Sequence, residues 1–295
     1  MRRVHDQIPS LRDAVARECP LQIAGAVNAY CARMAERSGF GAVYVSGAGV
    51  ANASFCLPDL GFTTLEQVAE DVRRIAGGTG LPILVDIDTG WEERLFSGET
   101  MGMMEAAGAS AVHLEDQVSM KRCGHRPGKA LVSREEMVER VEAAVSTRGS
   151  DELVVMARTD AAAVEGVEAA IGRAVAYVEA GADMIFAEAL GTLEEYRRFV
   201  EGVKVPVLAN ITEFGKTPLF TVEELKGAGV AMVLYPLSAF RAMNAAALEV
   251  YRTLRAEGTQ ARMVERMQTR KDLYELLDYE RFEKEADARL GASGV

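Results

Sequence analysis

Glu105-Ala106-Ala107-Gly108-Ala109-Ser110-Ala111-Val112-His113-Leu114-Glu115-Asp116 decides the fold. Its first residues suit the end of a helix, and Gly108 can take the left-handed backbone that terminates one without a steric penalty. Ala111 to Leu114 is a short apolar run, and Glu115-Asp116 closes it with charge. The same order recurs along the chain. Ser38-Gly39 precedes Ala42-Val43-Tyr44-Val45-Ser46, Ala180-Gly181 precedes Met184-Ile185-Phe186-Ala187-Glu188, and Ala228-Gly229 precedes Met232-Val233-Leu234-Tyr235. Recurrence at this regularity marks a repeated helix-then-strand unit.

Working outward, eight apolar runs read as strands: Leu21 to Gly25, Ala42 to Ser46, Ile83 to Asp86, Ala111 to Glu115, Leu153 to Arg158, Met184 to Ala187, Val207 to Asn210 and Met232 to Tyr235. They are short and apolar throughout, as parallel strands buried on both faces are. The stretches between them carry apolar residues three and four apart, for example Met137, Val138, Val141, Ala144 and Val145 after a capping-box start at Ser133 and Glu136. Eight such units in about 240 residues predict an α/β fold of the (β/α)₈ TIM-barrel type. A doubly wound sheet is the alternative, and it lacks the GxGxxG turn after the first strand. The chain reads as one barrel domain over residues 1–295, with residues 259–295 as a helical extension. Within that extension Thr259 to Leu277 carries Met263, Met267, Leu273, Leu276 and Leu277 at helical spacing, a stripe suited to covering the barrel mouth or packing on another subunit.

A net charge of −11 across 295 residues works against nucleic acid or an anionic membrane as partner. Four cysteines, Cys19, Cys31, Cys56 and Cys123, form no CxxC pair, so neither a zinc knuckle nor a disulfide framework is indicated. The opening Met1-Arg2-Arg3-Val4-His5-Asp6 has no apolar signal core, and the default location is the cytoplasm.

In a barrel of this type the reactive face lies at the C-terminal ends of the strands. Those ends carry Asn28, Ser46-Gly47-Ala48-Gly49, Asp86 and Asp88, Glu115-Asp116, Arg158 and Asp160, Glu188, Asn210 and Thr212, and Tyr235 with Ser238 and Arg241. One such residue is readily a cap or turn former; a polar residue at every end points to a site. Asp86, Asp88 and Glu115, with Asp59, would repel one another without a cation, and an all-oxygen set suits Mg²⁺ or Mn²⁺ rather than Zn²⁺. His113, inside its strand, reads as a hydrogen-bonded core residue. Between the fourth strand and the next helix, Lys121-Arg122-Cys123-Gly124-His125-Arg126-Pro127-Gly128-Lys129 places a thiol among cations, which lowers a thiol pKa. The plainer reading of this run is a solvated basic loop. Arg158, Arg241 and Arg270, with Lys121 and Arg122, offer charge to anionic groups. Together these groups suit a small di- or tricarboxylate whose carbanion is stabilised and then protonated.

Val85-Asp86-Ile87-Asp88-Thr89-Gly90, Leu114-Glu115-Asp116-Gln117, Lys121-Arg122-Cys123-Gly124-His125 and Met156-Ala157-Arg158-Thr159-Asp160 resemble the isocitrate lyase and phosphoenolpyruvate mutase superfamily. The cysteine loop continuing into Arg126-Pro127, Leu208 to Gly215, Leu234 to Asn244 and Met267-Gln268-Thr269-Arg270 are similar to its branch that cleaves 2-methylisocitrate. The resemblance implies Mg²⁺-dependent cleavage of that tricarboxylate into pyruvate and succinate, within propionate breakdown by the methylcitrate cycle. It implies Asp86 as direct metal ligand, with Asp59, Asp88 and Glu115 acting largely through water. Ser46, Gly47, Ala48, Cys123, Gly124, Arg158, Glu188, Asn210, Ile211, Thr212, Arg241 and Arg270 would hold the substrate. Cys123 would be the general acid, with Lys121 beside it and His125 and Glu188 setting its protonation. Tyr44 is the candidate base and Glu188 its rival, and the loop from Lys121 to Lys129 would close as a lid. A homotetramer exchanging a C-terminal helix is also implied.

Two departures bear on pocket shape. Trp91-Glu92-Glu93-Arg94 stands where relatives carry a small residue after the aromatic, and Ala187 replaces a proline before Glu188. The nearest rival activity is isocitrate cleavage, which differs by one substrate methyl; Phe186, Leu234 and Pro236 resemble the methyl-accommodating pocket. Other carboxylate-cleaving relatives and a non-catalytic binding barrel are the remaining alternatives.

Overall fold

The four glycines of the repeat, Gly39, Gly108, Gly181 and Gly229, all have φ between 81° and 104°. Each ends a helix in a conformation that a side chain would strain, so chain reversal is written locally. The computed structural model describes residues 10–122, 124 and 128–292, with side chains described to Arg289. The chain divides into two compact units, one running to Phe240 and the other starting at Arg241.

In the first unit eight strands form a closed parallel barrel in chain order. They are β1 (Leu21–Gly25), β2 (Ala42–Val45), β3 (Ile83–Asp86), β4 (Ala111–Glu115), β5 (Val154–Thr159), β6 (Met184–Ala187), β7 (Val207–Asn210) and β8 (Met232–Tyr235), with β8 pairing back on β1. The sequence reading ran β2 one residue further, to Ser46; the backbone turns there into a short helix, Gly47–Gly49. It also began and ended β5 one residue early, because Thr159 still pairs, with Ala187 of β6.

The period of two splits each strand between two cores. Leu21, Ile23, Ala42, Tyr44, Leu84, Met156, Phe186, Leu208 and Leu234 pack together inside the barrel. Val43, Val85, Val112, Leu114, Val155, Ile185 and Val233 pack outward against helices. The interior is filled from below by Leu11 and Ala14 of helix α1 (Leu11–Arg17). Continuing the inward stripe past these residues brings Asp86, Glu115, Arg158 and Asn210 to one rim.

Helices α2 (Ala29–Arg37), α3 (Leu65–Ala76), α4 (Glu99–Ala107), α5 (Arg134–Thr147), α6 (Val167–Glu179), α7 (Leu193–Val203) and α8 (Val222–Gly227) alternate with the strands. Asn28 serves as the N-cap of α2, its side chain accepting from Cys31 N at 2.8 Å. Ser133 caps α5, but the capping box read there does not form: Glu136 pairs with Arg140 at 2.7 Å, and Arg140 reaches on to the Gln117 carbonyl. Full boxes form at Thr64/Gln67, Thr192/Glu195 and Thr221/Glu224. At α7 the Thr192 hydroxyl accepts from Glu195 N at 3.2 Å while Glu195 accepts from Thr192 N at 3.0 Å. Thr192→Ala is expected to lower the unfolding free energy by about 1 kcal/mol. A urea titration showing no change would mean that Glu195 alone satisfies this helix end.

Helix α9 (Ser238–Glu257) begins in the first unit and continues into the second, where α10 (Arg270–Leu277) and α11 (Tyr279–Ala292) follow. The single helix read from Thr259 to Leu277 is two pieces: a 3₁₀ segment, Ala261–Arg266, and α10. Thr269 breaks the run, its side chain accepting from Asp272 N as a new N-cap. Within this unit Arg262 bonds Thr253 at 2.6 Å, Arg266 pairs with Glu249 at 2.6 Å, and Tyr274 stacks on Tyr279. Leu248, Tyr251, Val264, Leu277 and Phe282 remain exposed. No described helix is long and apolar enough to cross a membrane.

Candidate active site

The strand register pairs Asp86 with His113 and Glu115 with Arg158. It therefore brings together groups far apart in the chain at the rim of the barrel. Asp86 Oδ2 accepts from Gly47 N at 3.0 Å and from the Tyr44 hydroxyl at 3.3 Å, and Oδ1 accepts from Asp88 N at 3.0 Å. Gly47 must lack a side chain here, since a Cβ would stand 2.9 Å from Asp88 Oδ1 and 3.1 Å from Asp86 Oδ2. Asp88 has a φ of 48°, uncommon for a residue with a side chain. Its carboxylate lies 2.7 Å from Lys121 Nζ, and the same ammonium lies 2.6 Å from Asp59.

Beneath this arc His113 is fully buried, with its ring against Tyr44 and Phe186 and its Nε2 2.9 Å from the Tyr44 hydroxyl. A ring protonated on Nε2 donates to the Tyr44 oxygen, leaving the Tyr44 proton for Asp86. That arrangement uses His113 Nε2, the Tyr44 hydroxyl and an Asp86 oxygen, and leaves His113 Nδ1 buried without a hydrogen-bond partner. Burial pushes the His113 ring down to about 4, so it is neutral near pH 7 and acts as a core residue, as its position in the sequence implied.

Opposite the carboxylates, Arg158 Nε lies 3.2 Å from Glu115 Oε2 and 3.0 Å from Asp160 Oδ2, and its NH2 lies 3.7 Å from Glu188. Its guanidinium also sits 5.0 Å over the Phe186 ring. Asn210 Nδ2 donates to Glu188 Oε2 at 3.2 Å. Ser46, Asn210, Ile211 and Thr212 are buried along the same rim, with Ala48 half-buried. The backbone of Gly124 lies directly on this group: a Cβ there would run into the Arg158 guanidinium and approach the Glu188 carboxyl carbon to 2.7 Å.

The charges do not behave as free groups. Burial, and after it the Asp86 charge, push the Tyr44 phenol well above its ordinary range, so Tyr44 keeps its proton. Burial would also raise Asp86, but His113, Lys121, Arg158 and the Asp88 N–H outweigh it and hold Asp86 below the usual carboxylate range. At Asp88 burial, with Asp86 and Asp59, overcomes Lys121 and pushes the carboxyl up to about 6. Burial likewise raises Glu115 well above its ordinary value against the pull of Arg158 and Lys121.

These features test the fit to a divalent ion. Two buried carboxyls are held toward their neutral forms beside ionised Asp86, and Glu115 Oε1 is buried with no hydrogen-bond partner. The donors are oxygens, and among the described residues the imidazole nitrogen facing them, His113 Nε2, is taken by Tyr44. The set fits Mg²⁺ or Mn²⁺. Among the described residues no three acidic, histidine or cysteine groups form a ready cage. An ion here would be held by one or two carboxylates and would keep bound water, as Mg²⁺ does.

Of the residues singled out in the sequence, Tyr44, Gly47, Asp59, Asp86, Asp88, Glu115, Lys121, Gly124, Arg158, Glu188 and Asn210 are tied into these contacts, while Ser46 is buried at the end of β2. Cys123 and His125 lie outside the described residues, as do Arg126 and Pro127 of the lid reading. Arg241 and Arg270 are carried by α9 and α10 in the second unit. The departure at Trp91 has a visible form: Trp91 and Glu92 have φ of 58° and 52°, and the indole Nε1 donates to Thr63 O at 2.9 Å. Ala187 continues β6, pairing with Thr159 and Ala209.

Sequence reasoning placed Asp116 and Asp160 among the strand-end polar residues without giving them a role; they are the support behind Arg158. Asp116 accepts from Thr159 Oγ1 at 2.7 Å, Tyr177 OH at 2.9 Å and Asp160 N at 2.8 Å. Asp160 in turn holds Arg158 and Lys129. The local signals were Asp116 closing the apolar run of β4 and the spacing of Arg158 and Asp160, two residues apart on one side of an extended segment; neither shows Thr159 and Tyr177 as partners of Asp116.

Residues 11–255 match the family model of phosphoenolpyruvate phosphomutase. The 2-methylisocitrate lyase of Salmonella typhimurium is 56% identical over 286 residues, covering 97% of each chain. That of Shewanella oneidensis is 58% identical over 276 residues, covering 94% of each. Among solved structures, a phosphonopyruvate hydrolase in complex with oxalate and Mg²⁺ superposes with a TM-score of 0.81 at 30% identity, over 93% of this chain and 95% of that one. Matched along nearly its whole length and built on the same barrel, the chain belongs to the phosphoenolpyruvate mutase and isocitrate lyase superfamily.

Proposed function

We propose that this chain is a carbon–carbon lyase that splits 2-methylisocitrate into pyruvate and succinate with a bound divalent ion, Mg²⁺ or in its place Mn²⁺. The observation that carries the reading is the facing of two arcs at one barrel rim. Asp86, Asp88 and Glu115 form one, and Arg158, Glu188, Asn210 and the Gly124 backbone form the other. The relatives of the same length named for this activity support it.

The chemistry needs a proton removed from the C2 hydroxyl and one delivered to C3. Glu188, buried beside Arg158 and Asn210, takes the first. Tyr44 keeps its own proton and is the poorer base, serving instead to hold Asp86. As the C2–C3 bond breaks, its electron pair passes to C3 and is shared by the neighbouring carboxylate as the aci form of succinate. The cations at the rim lower the energy of that charge. Cys123 gives its thiol proton to C3, with Lys121 and His125 as its neighbours in the sequence of the loop, and the proton held by Glu188 restores the thiol. A bound divalent ion supplies Lewis-acid stabilisation of negative charge on substrate oxygens. Ser46, Gly47, Ala48, Ile211 and Thr212 complete the carboxylate contacts in this proposal.

Phe186 and Leu234 are both buried inside the barrel below the rim, an apolar floor that suits the extra methyl. Steady-state rates on 2-methylisocitrate and isocitrate, with and without EDTA, test the reading. The methylated substrate is expected to have the higher kcat/KM, by roughly 10- to 200-fold, and chelated enzyme to recover when Mg²⁺ is returned. Equal or reversed preference would overturn the substrate, and no cleavage of either would overturn the activity. The exposed apolar side chains of the second unit support a homo-oligomer, a tetramer with exchanged helices in this reading.

A further inference from the structure

Lys129 closes the loop from Lys121, yet it does not behave as surface charge. Its side chain is 2% exposed, and its Nζ donates to the Gly124 carbonyl at 2.6 Å and to Asp160 Oδ1 at 2.7 Å. We infer that Lys129 is a positioning residue, whose ammonium clamps the Gly124 carbonyl to Asp160 and so sets how closely the Gly124 backbone lies on Arg158 and Glu188. The inference rests on the proposed lyase reading, in which Gly124 contacts the substrate.

Three observations carry it. Asp160 has no freedom of its own: its carboxylate also takes Arg158 Nε at 3.0 Å, and its N–H is fixed on Asp116 at 2.8 Å. The anchor for the loop is thus the same carboxylate that orients Arg158. Gly124 has no slack either, because even a methyl group at its Cα would collide with Arg158 and Glu188. Finally, a buried lysine is costly unless its donors are used, and here they join a neutral loop carbonyl to a strand-end carboxylate. The compact ammonium can serve two acceptors in different directions, whereas a planar guanidinium would need a different arrangement. A buried ion pair of this kind gives little stability relative to an apolar replacement. Its cost is understandable if what it supplies is placement of the backbone.

The experiment uses the full-length protein with Mg²⁺ and compares wild type with Lys129→Met, which keeps the chain length and removes every donor. Asp160 retains Arg158 in that variant, so the fold keeps its main support. On 2-methylisocitrate kcat is expected to fall on the order of 10²-fold, the scale of a displacement near 1 Å at a reacting centre, with KM little changed. Amide hydrogen exchange is expected to rise in the peptide containing Gly124 and to stay at wild-type level in the barrel strands. A kcat close to wild type overturns the inference, as does a loss that follows the fraction of folded protein with exchange raised throughout the barrel. If the methionine variant does not fold, Lys129→Gln, which can reach only one of the two acceptors, is read in the same way. A wild-type chain that cleaves neither tricarboxylate would remove the lyase reading alone. Exchange around Gly124 would still decide the clamp, supporting it if raised and overturning it if unchanged.

Discussion

Arg158→Met is expected to lower the unfolding free energy by about 3–5 kcal/mol and to abolish cleavage. Arg158 is buried among Glu115, Asp160 and Glu188, all three of which are fully buried. Removing it leaves uncompensated charge in the barrel, which costs far more than the pair contributes relative to an apolar substitute. The methionine fills much of the volume over Phe186, so the effect isolates charge from packing. Its pH dependence follows from Glu115, which burial already raises well above its ordinary value while Arg158 is the foremost group pulling it down. Without Arg158 the folded-state value rises further. Below the unfolded value of about 4.3 the carboxyl is protonated in both states, and the variant loses least. The deficit relative to wild type grows as pH rises through the raised value of folded wild type, where that protein ionises Glu115 and the folded variant still retains the proton. Urea unfolding of both proteins at several pH values measures this. A deficit that shrinks toward alkaline pH would show that another group carries the balance.

The second large effect is on function. Asp86→Asn is expected to cut kcat/KM by about 10³-fold, the upper scale for loss of one electrostatic contact at a reacting centre, and to weaken Mg²⁺ binding by at least ~100-fold. Both oxygens of Asp86 accept backbone N–H groups, Oδ2 from Gly47 and Oδ1 from Asp88. An asparagine has one oxygen, so either rotamer aims an NH₂ at an N–H. The substitution therefore removes the charge held ionised at this rim and also pushes Gly47 and Asp88 off their positions. Titration of Mg²⁺ by calorimetry alongside the kinetics checks it. An Asp86→Asn protein that binds Mg²⁺ like wild type would mean that the ion is held elsewhere, with Glu115 the first place to look.

Much of the fold was legible because its signals are local. A glycine that must adopt positive φ, a four- or five-residue apolar run and a capping threonine each act within a few residues, so Gly108 and the run after it could be read without knowing their neighbours. The box expected at Ser133 fails because Glu136 is drawn to Arg140, a partner whose orientation depends on carbonyls of the β4 end. The long C-terminal stripe divides because a Thr269 cap competes with continued helix.

The sequence by itself determined the barrel, the polar rim at the strand ends and the oxygen character of the proposed metal donors. These follow from strand period, strand-end polarity and residue type. Tertiary structure alone decided which charges are neighbours and which are ionised, since barrel closure and register set Asp86 beside His113 and Glu115 beside Arg158, and burial then sets their protonation. It also turned Lys129 from one basic residue among several into a buried clamp. Nothing in a run of charges reveals which member will find a carboxylate across a strand, because that contact exists only once the barrel has closed.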